Sequence, residues 1–529
     1  MAFTTDEETK LKAIINAYDN AKRICDLPDG GLSTAGKLIE VYDQAKGIPQ
    51  KMSLPGAVGN AGATWCGCRW RKGNASPEGE PIGNISMLAN LKSILGLGGY
   101  LVQNDHSRKK LSSQTHYRLE TGEEAKLDGS MGHYNWGTGV TMYYAPWDDY
   151  EYDYEAVSPT PIPGHWNYKI PIFSVPCSGA SAIDRTNLKL VNYCNRSAQY
   201  RGGTNDASLD GKWNTMCGKP VVNIAENTLQ RYAEKNGDRW GATMDPAIFM
   251  IGVLTRIVFH NRNIGAARNT AMTADGLYQG GLGMGVDNVN SYFGNQYATV
   301  DMDALADKGD AMGVFSVDCM DGDEKKLTIN NIPCFFGLKN FYHYLWCMRH
   351  LSILSYNADK TIDVYQKQIW DSTAIPTDNT TGMRKIGTIP LTTEGWIKRM
   401  NLQHMCYYPL EVGGSESTNY GDYFWRPDIS SGLRGLFALG DAYNGGNAGV
   451  SVASMVPRTP GWTSGLPSAK QRKTGTPSLS MYPLSGRKRA VADMSGQREQ
   501  STQAVPQKGA APHRGTRCGE AAGVSSLFS

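Results

Sequence analysis

The chain of 529 residues is long enough for more than one domain. Its 53 lysines and arginines nearly balance 50 aspartates and glutamates, so a net charge of +3 gives no global argument for binding nucleic acid or a membrane surface. Charged residues make up only 19%, against 60 glycines, 27 tyrosines and 12 tryptophans, which is typical of a turn-rich fold with aromatic anchors. This composition argues against a helical bundle and against a disordered chain.

The first residues, MAFTTDEETKLKAI, are acidic and polar, whereas a secretory signal is basic and then apolar. No apolar run approaches the roughly 20 residues that a membrane-spanning helix needs. We therefore expect synthesis in the cytoplasm, without a signal peptide and without a membrane span.

Two short helices are predicted near the N-terminus. Residues 4–25 begin with Thr5-x-x-Glu8, which has the form of a capping box, and carry apolar residues at helical spacing. A second helix is predicted over 34–45, with Leu38, Ile39, Val41 and Tyr42 on its apolar side. Such small helices must pack on each other, on the next domain or on a partner chain. The sequence therefore allows two interpretations: the apolar sides of these helices form the interface of a homo-oligomer, or they pack in the core of the same chain.

Residues 51–199 are rich in glycine, proline and aromatic residues and are predicted to be mostly strands. Bulky and polar residues alternate over 133–158 in the manner of strands. The acidic residues of this run lack the glycine and the terminal glutamate of a helix–loop–helix calcium site, so they are expected at solvated strand edges. They are Asp148, Asp149, Glu151, Asp153 and Glu155.

Two further helices are predicted in the next region. The first spans 223–237, with Ile224, Leu229 and Tyr232 inward and Gly237 as its stop. The second spans 245–263 and is apolar most of the way round, which predicts a core helix. Asp245 is its expected cap, with Pro246 in the first turn, and His260 is expected to interact with its end and not with a metal.

Metal, cofactor and catalytic signals are weak throughout the chain. The 11 cysteines are odd in number and lie mostly among apolar residues, so buried free thiols are expected, and Cys66-Gly-Cys68 lacks a second ligand pair. The glycine loop at 279–287 has neither the dinucleotide spacing nor a following lysine. His343 and His350 are too far apart for one helical face and have no evident carboxylate partner. We therefore expect no catalytic residues, no cofactor and no metal site.

Five blocks of sequence, in this order, resemble one protein family. Together they are similar to the variable proteins of diversity-generating retroelements, of the C-type-lectin-fold kind, found in bacteriophages and bacteria. The resemblance covers most of residues 1–455. The blocks are YRGGTNDASLDGKWNTMCGKPVVNIAENTLQRYAEKNGDRWGA, DGLYQGGLGMGVD, FFGLKNFYHYLW, TEGWIKRMNLQHMCYYPLEVGGSESTNYGDYFW and GLRGLFALGDAYNGGNAGV.

The resemblance implies a diversified recognition surface near the C-terminus. In that family a reverse transcriptase encoded by the element rewrites asparagine codons of the gene; it acts on the gene and not on the protein. Changes at the two adenines of AAC reach Asp, Tyr, Gly, Ser, Val and Thr but not Lys, Glu, Gln, Trp or Met. The implied ligand-binding residues are Asp441, Tyr443, Asn444, Asn447, Ser451 and Ser454.

The resemblance also touches the formylglycine-generating-enzyme branch of the same fold. LRGLF is similar to part of that branch, but its C-terminal cysteine pair has no counterpart near Arg434. An enzyme of that type, with a cleft near Trp346, and a purely structural virion protein are the alternative interpretations.

The predicted fold class is α+β, with a C-type-lectin-like domain preceded by a β-rich region and short N-terminal helices. The predicted domains are a helical segment over 1–50, an attachment region over 51–199, a ligand-binding domain over 200–468 with its variable segment at about 434–468, and a disordered basic tail over 469–529.

The predicted function is that of a diversified receptor-binding protein, either a phage tail adhesin on the virion or a binder displayed on a bacterial surface. Its expected partner is a variable protein or glycan receptor on a cell surface, without a specific nucleic acid. Multivalent display would supply avidity.

The segment after Met455 departs from the family pattern. Residues 456–469 lose the alternation of a closing strand, and Trp462, Lys470 and Gln471 are not reachable from AAC. We interpret this as a change of reading frame or an unusual C-terminus, which would leave a neighbouring strand unpaired.

Overall fold

The chain forms two compact units, Met1–Tyr482 and Pro483–Ser529, and every residue whose structure is described belongs to the first. In the computed structural model the described residues are 38–43, 48–53, 62–184, 187–193, 221, 225–265, 305–321, 324–342, 347–367, 370, 372–426, 431–440, 453–457 and 467–470. The predicted helix over 4–25, the glycine loop at 279–287 and residues 471–529 lie outside them.

The described part of the chain is mostly β-structure, with four helices and strands arranged in six sheets. This agrees with the β-rich character expected from the glycine and aromatic content. The helices are α1 (Ile85–Ala89), α2 (Leu91–Leu95), α3 (Glu226–Glu234) and α4 (Asp245–Phe259).

The predicted helix over 34–45 is wrong, because this stretch contains a strand. Strand β1 (Leu38–Asp43) pairs antiparallel with β2 (Ile48–Ser53) in a two-stranded hairpin. The segment LIEVYD contains β-branched and aromatic residues, which favour strands. With only six residues, it is too short to form a stable helix from its helical spacing alone.

The alternating run 133–158 forms three consecutive strands, as predicted. Two of them, β8 (Met142–Asp148) and β9 (Tyr152–Ser158), form a hairpin at the centre of a five-stranded antiparallel sheet. The spatial order of that sheet is β10 (Tyr168–Ile170), β8, β9, β3 (Cys66–Arg71) and β4 (Glu80–Gly83).

The third strand of the run, β7 (His133–Gly137), belongs to a six-stranded sheet in which a C-terminal strand takes part. That C-terminal strand pairs antiparallel with a strand on each side. The spatial order is β14 (Trp240–Ala242), β26 (Pro467–Lys470), β11 (Phe173–Pro176), β7, β5 (Gly98–Val102) and β6 (Arg108–Lys110).

An eight-stranded sheet is the largest of the described sheets, and it contains the strands on both sides of residues 439–452. Its neighbours pair antiparallel except for one parallel pair. The spatial order is β20 (Arg384–Ile389), β19 (Ile362–Gln366), β18 (Cys347–Tyr356), β24 (Gly432–Ala438), β25 (Ala453–Pro457), β23 (Tyr423–Trp425), β21 (Gly395–Met400) and β22 (Pro409–Val412).

Two smaller sheets complete the described β-structure. One pairs β12 (Ala182–Asp184) with β13 (Lys189–Val191), and the other contains β15 (Gly313–Asp321), β16 (Glu324–Phe335) and β17 (Leu338–Lys339).

The two helices predicted beyond residue 200 are confirmed, with shorter bounds. In α3, Leu229 is buried and Tyr232 is partly buried, while Ile224 lies outside the described residues. Helix α4 is buried along nearly its whole length, as expected of a core helix. It ends at His260, which adopts a left-handed conformation and donates its backbone N–H to the Arg256 carbonyl, so this histidine occupies the C-cap.

One hydrophobic core joins residues from both sides of position 200. Trp136 of β7 lies 6.3 Å from Phe335 of β16 between ring centroids, and its indole N–H donates to the Phe336 carbonyl at 3.1 Å. Phe249 of α4 packs 5.4 Å from Tyr144 of β8. The predicted attachment region and the predicted ligand-binding domain therefore share one core in the described part of the chain.

The expectation that the acidic run 148–155 lies at solvated strand edges is wrong for Glu155, which is fully buried. The Nε and Nη2 atoms of Arg256 donate to its two carboxylate oxygens at 2.9 and 2.6 Å, and the Tyr144 hydroxyl donates to it at 3.1 Å. The guanidinium of Arg256 also lies 4.5 Å from the centroid of the Tyr407 ring. Residues 154–158 of β9 are all buried, so both faces of the strand are covered at position 155, and Arg256 neutralises the buried carboxylate.

The expectation of buried free thiols holds for the six cysteines whose side chains the structure describes. They are Cys66, Cys68, Cys177, Cys334, Cys347 and Cys406.

The described helices include none that is both long enough and apolar enough to span a bilayer.

We predict that Arg256→Met lowers the free energy of unfolding by about 3–5 kcal/mol, because Glu155 is then buried without a counter-charge. Lys385→Met is the matched control, since its ion pair with Asp363 is half exposed (49% for the lysine) and solvent screens the attraction, so a much smaller loss is expected. Urea unfolding measures both changes. Equal losses in the two variants would contradict the assigned role of the buried pair.

Candidate functional site

The predicted recognition segment, residues 441–454, connects two neighbouring strands of the eight-stranded sheet. Antiparallel pairing of β24 with β25 sets Phe437 opposite Ser454 and Leu436 opposite Met455. Of the six predicted ligand-binding residues, only the backbone of Ser454 is described. The other five, Asp441, Tyr443, Asn444, Asn447 and Ser451, lie outside the described residues.

The strands at the two ends of the recognition segment are paired on both sides. β24 pairs with β18 as well as with β25, as in Cys347 opposite Ala438. β25 also pairs in parallel with β23, which sets Trp425 opposite Ser454. Main-chain hydrogen bonds are independent of side-chain identity, so both ends are fixed by the sheet whatever side chains the segment carries. The change of sequence pattern after Met455 predicted a strand without a partner in the sheet. Such a strand is not observed at this position, because β25 pairs with both β24 and β23.

The chain leaves β24 through two residues in the left-handed region. Leu439 has φ of 77° and Gly440 has φ of 59°. Leucine is strained in this conformation, whereas glycine adopts it freely. Leu439 is nonetheless buried, and it lines a small apolar cavity of about 20 Å³ with Ile248 and Phe341. Burial of its side chain against α4 therefore anchors the start of the recognition segment.

An irregularity in β18 directs three polar side chains towards the two long helices. Met348 pairs with Phe437 and Ile353 pairs with Gly435, so four residues of β18 oppose one residue of β24. Such a bulge changes the direction of side chains and increases strand twist. The residues that it carries include Arg349, His350 and Ser352, all of which are buried.

Arg349 and Ser352 bind Asp245, the first residue of α4. The Arg349 Nε donates to Oδ1 of this carboxylate and the Ser352 hydroxyl donates to Oδ2, both at 2.5 Å. Arg349 Nη1 also donates to the Tyr407 carbonyl at 2.6 Å. Asp245 is therefore not the side-chain cap that the sequence predicted. The N-cap is Met244, and Asp245 forms a buried ion pair instead.

His350 has a carboxylate partner, contrary to the expectation from its sequence neighbours. Its Nδ1 lies 2.7 Å from Oε1 of Glu226, and its Nε2 lies 2.8 Å from the Thr373 carbonyl oxygen. The Thr373 carbonyl can only accept, so Nε2 donates to it, and Nδ1 faces the Glu226 carboxyl group. Both ring nitrogens are occupied, so His350 is not available to a metal. His343 and Trp346 lie outside the described residues.

A second buried polar cluster joins β7 and β17 to the loops that carry His116 and Asp310, and sequence reasoning did not find it. His116 Nε2 lies 2.9 Å from Oδ1 of Asp310, and its Nδ1 lies 2.5 Å from the Tyr134 hydroxyl and 3.2 Å from Nζ of Lys339. Lys339 is fully buried and donates to the carbonyls of Gly309 and Gly337 at 2.8 and 3.1 Å. His116 is 194 residues from Asp310 and 223 residues from Lys339 along the chain, so no local sequence motif predicts the cluster.

This cluster contains the residue types of an acid–base site, but its side chains are buried and a substrate cannot reach them. Its histidine, aspartate and lysine side chains are all 5% exposed or less, and so is the Tyr134 side chain. Burial and the positive charge of Lys339 lower the pKa of His116 to about 4, which keeps its ring neutral at pH 7. The arrangement stabilises the junction of the strands and presents no group to a substrate.

No group of three or more potential ligands with metal-binding geometry occurs among the described residues. In the Cys66-Gly-Cys68 pair, burial raises the pKa of the Cys66 thiol to about 12 and also raises that of Cys68. A thiolate is the form that binds metal, so these two positions favour the protonated thiol of a core residue.

Comparison of the chain with protein-family models, with curated proteins and with solved structures finds no match.

We predict that acid weakens the fold through His116. Its pKa in the folded protein, about 4, lies below the ordinary value of 6.5, so between these values the unfolded chain binds a proton that the folded chain does not. This contribution to stability is complete above pH 6.5 and is lost as the pH falls towards 4, at up to about 1.4 kcal/mol per unit.

Urea unfolding at pH 7, 6 and 5 measures this dependence. His116→Gln should give a shallower slope than the parent protein, whereas His404→Gln, at a half-buried position, should change the slope less. A slope unchanged by His116→Gln would contradict the assignment.

Proposed function

We propose that this protein is a diversified ligand-binding protein whose recognition segment, residues 441–454, contacts a receptor on a cell surface. The observation that carries the proposal is the position of the segment between β24 and β25, two strands paired on both sides. Side chains can vary in such a connection without changing the hydrogen bonds that hold its ends. The resemblance to variable proteins of diversity-generating retroelements supports the same interpretation.

The composition of the segment suits recognition. Its residues Asp441, Tyr443, Asn444, Asn447 and Ser451 combine a rigid aromatic surface with short polar groups, as antibody binding sites do. All of them are residue types that adenine-directed change of an asparagine codon can produce. The segment contains no lysine, glutamate or glutamine, which such change cannot produce.

The scaffold beneath the segment is stabilised by residues outside it. The buried ion pairs Glu155–Arg256 and Asp245–Arg349 are both formed by residues before position 440. Substitutions within the segment leave these pairs intact, so the protein can exchange its recognition residues at little cost in stability. We further propose that this domain has a C-type-lectin-like fold and that the protein is displayed on a phage tail or a bacterial surface.

We predict that replacing Asp441, Tyr443 and Asn447 together by alanine abolishes binding to the native receptor and leaves the thermal unfolding midpoint unchanged. Binding is measured on cells or receptor preparations with the full chain. Tyr150→Ala is the matched control, because this tyrosine is 97% exposed at the tip of the β8–β9 hairpin and is outside the segment. If the triple variant loses turnover of one fixed substrate, the protein is an enzyme. If the triple variant binds cells as the parent protein does, the protein has a structural role.

We also predict a near-copy of the 3′ coding segment in the neighbouring DNA, differing from it only at adenines and adjacent to a reverse transcriptase gene. Sequencing of the gene from a growing population should then reveal changes concentrated in the codons of residues 441–454. A flanking region without such a copy, together with an invariant segment, would contradict diversification.

A further inference from the structure

A polar groove lies between the five-stranded sheet and the last strands of the eight-stranded sheet. Its volume of about 580 Å³ falls within the range of small-molecule sites, roughly 300–1,000 Å³. Arg71 and Lys72 contribute one wall from the end of β3, and Lys398 and Arg399 of β21 contribute the other. Arg262, which follows α4, also lines the groove.

The carboxylates that line the groove are already neutralised by neighbouring cations. Each acidic side chain has a basic partner within 3 Å, so the groove offers no free carboxylates to a metal ion. The three pairs are Lys72–Asp148 at 2.6 Å, Arg262–Asp153 at 2.9 Å and Lys398–Glu411 at 2.6 Å.

Two arginines of the groove remain after these pairs are formed. Arg71 and Arg399 are both exposed, and no carboxylate of the described residues lies within ion-pair distance of either. The groove therefore carries an excess of two positive charges. A guanidinium without a protein carboxylate is suited to bind the carboxylate or phosphate of a ligand in bidentate fashion.

Arg262, which is paired with Asp153, is held in a fixed position beside the groove. Its guanidinium lies 4.9 Å from the centroid of the Trp70 ring and 5.1 Å from that of Tyr420, so it is held between two aromatic side chains. The residue is only 7% exposed, and its buried Nε–H has no acceptor among the described residues.

Neutral polar groups complete the groove and are fixed before any ligand arrives. Ser415 donates its backbone N–H to the Thr418 hydroxyl at 2.7 Å, which closes the loop after β22. Asn419 donates its backbone N–H to the Ala75 carbonyl at 2.8 Å, which joins this loop to the loop after β3. Ser415, Thr418 and Asn419 line the same groove as the arginines, and the hydroxyls of Ser415 and Thr418 lie 3.0 Å apart.

We propose that this groove binds an acidic saccharide. Arg71 and Arg399 bind its oxyanion, a carboxylate or a phosphate, and the hydroxyl and amide groups of the 415–419 loop bind its ring hydroxyls. None of residues 441–454 lines the groove, so saccharide binding can be tested independently of receptor binding by the recognition segment.

The groove and the recognition segment belong to the same sheet. β21 is separated from β25 by β23 alone, which places the two strands about 10 Å apart at the usual spacing. A saccharide in the groove therefore lies on the same sheet as the segment and is bound by residues that do not vary with it.

Titration calorimetry of the full chain at low ionic strength tests this assignment with five probes: glucuronate, glucose 6-phosphate, glucose, acetate and inorganic phosphate. We expect saturable binding of glucuronate or of glucose 6-phosphate, and whichever binds identifies the oxyanion. Glucose, acetate and inorganic phosphate should bind at least about tenfold more weakly, because each lacks half of the contacts.

Arg71→Gln and Arg399→Gln should each weaken binding of that saccharide about tenfold. Arg384→Gln is the matched control, since it removes the same charge from an exposed position on β20, at the opposite edge of the sheet. Thermal unfolding verifies that all three variants fold. Absence of binding by both acidic sugars, equally tight binding of glucose, acetate or inorganic phosphate, or equal losses in the control would overturn the assignment.

Discussion

The fold depends on a constraint at the two ends of α4, each of which carries a buried charge that a different sheet must neutralise. Asp245 at its start is paired with Arg349 of the eight-stranded sheet, and Arg256 near its end is paired with Glu155 of the five-stranded sheet. A buried charge without its partner costs several kcal/mol, so neither sheet can shift along the helix without exposing or isolating an ion. The two pairs thereby fix the position of both sheets, and of the core between them, relative to one helix.

The candidate sites use this rigid frame in different ways. The bulge in β18 that delivers Arg349 to the helix lies beside β24, so the strand that leads into the recognition segment rests against the most constrained part of the sheet. The groove lined by Arg71 and Arg399 forms where the two sheets approach each other near Arg262, just beyond the other end of the helix. The proposed recognition segment and the groove thus use different residues of the described sheets.

The elements that the sequence predicted well are those whose pattern is local. The apolar content of 245–259 and the alternation of 133–158 each specify one element without reference to any other part of the chain. Contacts that join distant residues escaped prediction. Glu155 was expected in solvent, Asp245 as a cap and His350 without a carboxylate, because their partners are 101, 104 and 124 residues away. The predicted ligand-binding residues follow from a resemblance, while the groove follows only from the assembled sheets.

The place of β26 in the six-stranded sheet has a consequence for the order in which the protein is made. Residues 467–470 separate β14 from β11, so these two strands have no partner on their shared side until that part of the chain has been synthesised. β25 likewise is the last strand of the eight-stranded sheet to be made, because the other seven strands precede it in the chain. Since a ribosome delivers the chain from the N-terminus, the edge between β14 and β11 stays open while residues 243–466 are made, whereas the place of β25 stays open only while residues 439–452 are made. The nascent protein must keep those edges from pairing elsewhere until β25 and β26 are made.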